Sequence, residues 1–155
     1  MAPTIATNTR VDRAALNEFV GPRHRAILIT TRADGRPQTS PVTAGLDGQG
    51  RLVVASYPER AKARNVRRDP RVTVCLLSDD WTGPWVQLDG TGEVLDMPHA
   101  LDGLVEYYRV IAGEHPNWTE YREAMRRQDK SLIRITIDSW GPVATGGFPA
   151  RLAEG

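Results

Sequence analysis

Residues 56–70 read SYPERAKARNVRRDP, a run that follows an apolar segment, is strongly basic and stops at a proline. Pro58 predicts the first turn of a helix, where proline is tolerated. The free backbone N–H groups of Arg60, Ala61 and Lys62 would then point out of the N-terminal end of that helix. The helix dipole and two cationic side chains would together attract a phosphate. The alternative reading is a solvated basic face.

Asn65 follows Lys62 by about one helical turn, as Arg64 follows Arg60. Side chains at this spacing lie on neighbouring parts of the helix surface, so they can flank one ligand. The sequence therefore predicts that the donors of this helix converge on an anion.

Six segments around this helix are rich in branched residues or alternate apolar and polar residues, and we predict that they are strands. Tight turns at Asp34-Gly35 and over 47–50 connect the first three as antiparallel neighbours. Gly90 and Gly92 inside the fifth strand indicate a bulge or a barrel corner. The predicted strands span residues 25–32, 38–46, 51–56, 71–77, 85–95 and 132–137.

Three further helices are predicted from capping residues and helical spacing of apolar residues. An N-terminal helix is expected over about 11–20, with Thr9 or Asp12 as its cap. A second has Pro98 near its first turn and ends before Gly113, and a third starts at Asn117 and runs to about Gln128.

Composition limits the function classes. The chain has 155 residues, a net charge of +1 and one cysteine, Cys75, so we predict one domain, 1–155, without disulfides. The near-neutral charge argues against bulk nucleic-acid binding. A lone cysteine is compatible with a reducing cytosol, and no apolar run approaches the roughly 20 residues of a membrane helix. The sequence predicts a cytoplasmic protein without a membrane segment.

The sequence lacks the common catalytic sets. His24, His99 and His115 have no metal-ligand spacing, and no cysteine pair accompanies them. It also contains neither a nucleophile elbow nor a glycine-rich phosphate loop. Difficult chemistry would therefore come from a bound cofactor, with the protein supplying orientation and electrostatics.

Three stretches carry a family resemblance. The hairpin 31–42 (TRADGRPQTSPV), followed by the basic run, resembles the split β-barrel flavin and deazaflavin oxidoreductases, which include pyridoxamine phosphate oxidase. Residues 60–70 (RAKARNVRRDP) and 107–118 (YYRVIAGEHPNW) are similar to the F420-dependent branch. The resemblance covers about 26–143, the expected core, and leaves 144–155 as an irregular tail. It implies a mainly β (α+β) fold, a six-stranded antiparallel split β-barrel with flanking helices.

The resemblance also implies a cofactor site. Coenzyme F420 would lie across the barrel at the interface of a homodimer, with its phosphate on the basic helix and its ring against the second and third strands. Arg60 and Lys62 would supply charge-assisted hydrogen bonds, Ala61 its backbone N–H and Asn65 a neutral side-chain bond.

A second group of residues matches the segment at the ring edge. Gln38, Ser40, Pro41 and Val42 would contact the pyrimidine-like edge of the ring, although each has ordinary strand or turn duty as its alternative. Ser56 would either touch the ring or cap the basic helix.

Aromatic residues and two irregular segments are the remaining candidates. Trp81 and Trp85 would cover the ring or the substrate from the neighbouring subunit, or else pack in the core or interface. The loop 78–84 and the tail 141–152 are expected to shape the substrate pocket, and the substrate itself cannot be identified from them.

The function that the resemblance implies is hydride transfer from reduced F420 to an electron-poor small organic substrate, with no side chain named as catalytic. Two alternatives stay open. One is an FMN-dependent oxidase of the pyridoxamine phosphate type, because FMN also presents a phosphate. The other is a non-catalytic carrier of F420 or of a tetrapyrrole.

Overall fold

A computed structural model describes residues 4–153, and its elements agree closely with the predicted order. The strands are β1 Thr7–Thr9, β2 Arg25–Thr31, β3 Pro37–Thr43, β4 Gly45–Leu46, β5 Leu52–Ser56, β6 Arg71–Leu77, β7 Val86–Leu95, β8 Ser131–Trp140 and β9 Val143–Thr145. The helices are α1 Arg13–Val20, α2 Ala61–Arg68, α3 Leu101–Ala112 and α4 Trp118–Arg127, with a 3-10 turn at Ala150–Leu152.

The main sheet has seven antiparallel strands in the order β3-β2-β6-β7-β8-β5-β4. Its two edge strands, β3 and β4, are separated in sequence by Ala44 alone. The two edges therefore lie next to each other, and the sheet must curl into a barrel that is open between them. The predicted antiparallel split barrel with flanking helices is confirmed.

The strand count differs because the second predicted strand, 38–46, is divided at Ala44. The Ala44 N–H donates to the His24 carbonyl at 2.8 Å, and the His24 ring Nδ1 contacts the Ala44 carbonyl at 2.9 Å. On either side of this point, β3 pairs with β2 and β4 pairs with β5. One predicted strand thus supplies both edges of the sheet.

A bulge lies where the glycines of the fifth predicted strand indicated one. The register between β7 and β8 shifts between Asp89 and Gly90. A Cβ atom on Gly90 would lie 2.5 Å from the Thr136 carbonyl oxygen, so no larger residue fits without moving backbone. Glycine lets β7 bend here while it stays paired with β8.

Opposite faces of β5 pack into two separate hydrophobic clusters. Leu52 and Val54 point into the barrel, which α2 also enters through Ala63 and Val66. Val53 points the other way, into a cluster formed with α3 and α4. The α2 helix is therefore held against the barrel by its apolar side, which leaves its polar sides for other contacts.

Two helix starts differ from the prediction. The N–H of Arg60 donates to the Tyr57 carbonyl at 3.1 Å, which makes 57–60 a turn and delays α2 to Ala61. Pro98 similarly lies in the turn before α3. The predicted caps Asp12 and Asn117 are confirmed, since their side chains accept hydrogen bonds from the N–H groups three residues later.

The segment predicted to be irregular contains some regular structure. Strand β9 pairs with β1 in a separate two-stranded sheet, and residues 150–152 form the 3-10 turn. No local pattern indicates this pairing, because it joins residues 138 positions apart, as in Thr7 and Thr145. Positions 154–155 of the predicted tail lie outside the described residues.

Over residues 4–153, no helix is long and apolar enough to span a bilayer. Within the same part of the chain, no three His, Cys, Asp or Glu side chains are grouped so that they could hold a metal ion.

Candidate functional site

The N-terminal end of α2 presents unused backbone donors. Arg64 is the first residue of the helix whose N–H donates to a preceding carbonyl, that of Arg60, at 3.1 Å. The N–H groups of Ala61, Lys62 and Ala63 precede it and have no partner within the helix. The predicted donor set is therefore shifted: Ala61 and Lys62 remain, Ala63 is added, and the Arg60 N–H is used by the preceding turn.

Three cations surround this helix end without compensating carboxylates. Among residues 4–153, the side chains of Arg60, Lys62 and Arg64 make no ion pair and no hydrogen bond. The Arg60 guanidinium lies 5.7 Å from the centre of the Tyr57 ring. Uncompensated positive charge next to free N–H groups is the physical requirement for an anion site.

The later arginines of α2 are engaged by the protein. Arg67 forms an ion pair with Asp96 at 2.5 Å, and Arg68 donates to the Thr31 carbonyl at 3.1 Å. Arg68 and Arg64 also line a cleft of about 240 Å3 between α2 and the β2–β3 turn. The basic run is therefore not uniform: its first half is free and its second half is structural.

Burial and the concentration of positive charge at this helix end affect the pKa of Lys62. It is half-buried, and burial together with the nearby charge of Arg60 lowers the pKa of its ammonium group. A bound anion would offset both effects on this pKa. Its negative charge would counter that of Arg60, and its oxygens would accept the hydrogen bonds that the ammonium group loses to water on burial. The environment of Lys62 thus fits a phosphate.

The predicted ring-edge residues fall on two faces of β3. Gln38, Ser40 and Val42 are half-buried on one face, and Val42 packs against the barrel core. Pro41 is exposed on the opposite face, where it lines a cleft with Trp81. The structure therefore brings three of the four residues onto one face and places Pro41 on the other.

A network of side-chain hydrogen bonds connects this face of β3 to α2. Asn65 Nδ2 donates to Thr30 Oγ1 at 3.0 Å, and Thr30 Oγ1 donates to Gln38 Oε1 at 3.1 Å. At the β3 end, Gln38 Nε2 donates to Ser40 Oγ at 2.8 Å. At the α2 end, Arg68 donates to Asn65 Oδ1 at 2.7 Å. We call these five residues the β3–α2 network.

Two members of the network change the predicted site. Asn65 is buried and engaged at both ends of its amide, so its contacts are with the protein. Thr30 was missed by sequence reasoning. The sequence does hold a signal for it: the alternate residues of β2 that point inward are Ala26, Leu28 and Thr30, and only Thr30 has a hydroxyl.

Ser56 has a buried hydroxyl without a partner. Its side chain is 4% exposed, and its Oγ makes no hydrogen bond among the described residues. It does not cap α2, whose N-cap residue is Arg60 and which has no side-chain cap. By strand alternation it points to the same side as Val54, into the barrel.

Trp81 and Trp85 flank an apolar cleft of about 710 Å3 on the outer side of the barrel. Their side chains are 86% and 39% exposed, so core packing does not explain either of them. The loop and the tail expected to shape a substrate pocket both contribute to this cleft. Its lining residues are Thr4, Cys75, Leu77, Trp81, Thr82, Gly83, Trp85, Gly146 and Gly147.

The sequence model of the pyridoxamine 5'-phosphate oxidase family matches residues 13–144, which contain β3, the whole of α2 and the network between them. The chain belongs to the pyridoxamine 5'-phosphate oxidase family. Proteins of this family bind flavins or deazaflavins, and its wider superfamily contains oxidoreductases.

Solved structures of family-like proteins share the fold at low sequence identity. A conserved hypothetical protein of Mycobacterium tuberculosis is 21% identical with a TM-score of 0.72, over 90% of this chain and 89% of that one. An F420 reductase is 18% identical with a TM-score of 0.61, over 80% and 94%. The heme storage protein HutZ of Vibrio cholerae is 19% identical with a TM-score of 0.60, over 88% and 92%. These likenesses establish the split-barrel fold.

Proposed function

We propose that this protein is an F420-dependent oxidoreductase that reduces an electron-poor small organic substrate. The observation that carries the proposal is the end of α2, where free N–H groups meet three cations that pair with no described carboxylate. A cofactor phosphate fits this donor set. Likeness of residues 60–70 to the F420 branch favours F420 over FMN.

The residues at the end of α2 and on one face of β3 have defined tasks in this proposal. Arg60 and Lys62 hold the phosphate with charge-assisted hydrogen bonds, and Ala61 donates its backbone N–H. Ser40 presents its hydroxyl to the ring edge, and Gln38, whose amide is engaged at both ends, holds Ser40 in place. When bound, the reduced deazaflavin supplies a hydride, and the protein contributes orientation and exclusion of water.

The substrate is proposed to enter the apolar cleft beside Trp81 and Trp85. No charged side chain is among the residues that line this cleft, so it favours an uncharged substrate. It lies next to the smaller cleft that contains Pro41 and Val42, since Trp81 and Leu77 line both.

The protein is further proposed to act as a homodimer with the cofactor site at the subunit interface. The outer face of β2 and β6 carries half-buried Ile27 opposite Cys75, next to exposed Pro41 of β3. Apolar side chains on a sheet face that are left half-exposed are typical of an interface. A two-fold partner would cover them.

Titration of the purified protein with each cofactor tests the proposal. We expect oxidised F420 to quench tryptophan fluorescence saturably and FMN to bind much more weakly. Equal or tighter binding of FMN would contradict the F420 assignment and favour an oxidase of the pyridoxamine phosphate type.

A non-catalytic carrier is the remaining alternative. If F420 binds but its reduced form is oxidised by none of a panel of quinones, enones and bilins, the carrier function replaces the reductase. Heme is included as a ligand in the same titration, because the split-barrel fold also occurs in a heme storage protein.

A further inference from the structure

We propose that the β3–α2 network is a positioning device that fixes the distance between the ring-edge strand and the phosphate-binding helix. Its members Thr30 and Asn65 act through their neighbours and need not touch the ligand. The inference rests on the proposed function, because it assumes that one ligand contacts both segments.

All four hydrogen bonds of the network are donated in the same direction, from Arg68 at the α2 end to Ser40 on β3. Thr30 Oγ1 uses its proton on Gln38 and a lone pair on Asn65, so its hydroxyl has no alternative orientation that keeps both bonds. Thr30 and Asn65 are 1% and 7% exposed, respectively. Water therefore cannot easily replace a lost hydrogen bond of Thr30 or Asn65. The intact hydrogen bonds define the spacing between β3 and α2.

The same direction determines what Ser40 offers to a ligand. Gln38 Oε1 is committed to Thr30, so its amide group faces Ser40 and donates to the Ser40 oxygen. The Ser40 proton is then left to donate. We infer that Ser40 is a hydrogen-bond donor, matched to a carbonyl oxygen on the ring edge of the ligand.

The α2 end of the network holds Asn65, and with it the helix, in place. Arg68 holds Asn65 Oδ1, and Asn65 lies one turn after Ala61, whose N–H is one of the free donors. Between Ser40 and Ala61 the polypeptide runs through β4 and β5. The network is thus a direct connection between two segments that the backbone joins only by a long path.

Binding of F420, or of FMN if that is the tighter cofactor, tests this role. We expect Thr30→Val to weaken affinity about tenfold, the scale of one lost buried hydrogen bond, and Thr30→Ser to restore it. Thr7→Val is the control, because Thr7 Oγ1 shares a hydrogen bond of 2.6 Å with Thr145 Oγ1 in the separate sheet of β1 and β9, away from both segments. Its affinity should equal that of the wild type.

A double-mutant cycle separates positioning from general damage. In the wild-type background, Ser40→Ala and Arg60→Ala should have non-additive effects on affinity, because the network couples their segments. In the Thr30→Val background their effects should become additive. Equal coupling in both backgrounds would overturn the proposal.

Arg68→Met provides a second route if Thr30→Val fails to fold. Arg68 is exposed, and this change releases Asn65 without opening the barrel. Affinity should fall more than in Arg67→Met, which removes the same charge from the neighbouring residue. Equal effects of the two variants would contradict positioning. If the wild type binds neither cofactor, the proposed function itself fails, a result distinct from cofactor binding without coupling.

Discussion

At the residue scale, pairing separates the functional cations of this protein from the structural ones. Arg67 has the same charge as Arg60, the N-cap residue of α2, and lies on that helix, yet it is bound to Asp96. Arg60 and Lys62 have no such partner among the described residues, and the lowered pKa of Lys62 reflects its burial and the proximity of Arg60. Free positive charge is retained at the helix end, where it opposes folding slightly and favours an anion.

Arg60→Ala and Lys62→Ala should each weaken cofactor binding by about 1.5–3 kcal/mol, the usual scale of a lost charged hydrogen bond. Their folding should change little, since neither side chain makes an ion pair among the described residues and the Arg60 guanidinium only lies over the ring of Tyr57, 5.7 Å from its centre. Wild-type affinity should fall as salt rises, and this dependence should flatten in both variants. Isothermal titration over a salt series measures both quantities.

Arg67→Ala is the control for this prediction, because it removes a charge that already has a partner. It should change affinity much less than the other two substitutions. If all three variants kept the wild-type affinity and salt dependence, the helix would be only a solvated basic face.

At the element scale, the irregular points of the sheet allow the barrel to form. The bulge at Gly90 bends β7, and the break at Ala44 lets one stretch of chain pair at both edges. The bend and the break both lie in or next to segments that border the candidate site. The position of β3 relative to α2 is therefore a consequence of how the sheet curls.

Gly90→Ala should lower the free energy of unfolding by about 1–3 kcal/mol, because the new Cβ would press on the Thr136 carbonyl oxygen and force a backbone shift. Chemical denaturation followed by tryptophan fluorescence measures the change. Gly146→Ala is a suitable control, since a Cβ there meets no atom within 4 Å. A Gly90→Ala protein as stable as this control would show that the bulge tolerates a side chain.

At the scale of the whole molecule, the two sides of the barrel have different surfaces. One side is covered by α3 and α4 over β5, whereas the outer face of β2 and β6 keeps apolar side chains half-exposed. Trp81 and Trp85 extend the exposed apolar surface on that second side. This asymmetry supports the proposed dimer.

Light scattering at micromolar concentration should report a dimer for the wild type. Ile27→Arg should shift the population toward a 17.1 kDa monomer, because it places an uncompensated charge in the interface. Thr119→Arg adds the same charge to an exposed position of α4 and should leave the dimer intact. A wild type that is monomeric under these conditions would count against both the dimer and a shared cofactor site.

The sequence alone was sufficient for features that depend on neighbouring residues. The order of the six predicted strands and the four helices, the Asp12 and Asn117 caps and the bulge at Gly90 all follow from local patterns, whereas β1 and β9 do not. The likeness of the basic run to the split-barrel oxidoreductases led to the correct family. F420 and the dimer stay predictions that rest on that likeness, and the cytoplasmic location stays a prediction that rests on the lone cysteine and the lack of a long apolar run.

Tertiary structure decided the features that depend on residues far apart in the chain. The pairing of Arg67 with Asp96, the burial of Thr30 against Asn65 and the exposure of Pro41 arise only when the sheet curls and α2 enters the barrel. A residue's own identity and neighbours do not specify which partner it meets across the fold. For this reason the sequence could indicate an anion site in the basic run, whereas only the folded chain distinguished its free cations from those that hold the helix in place.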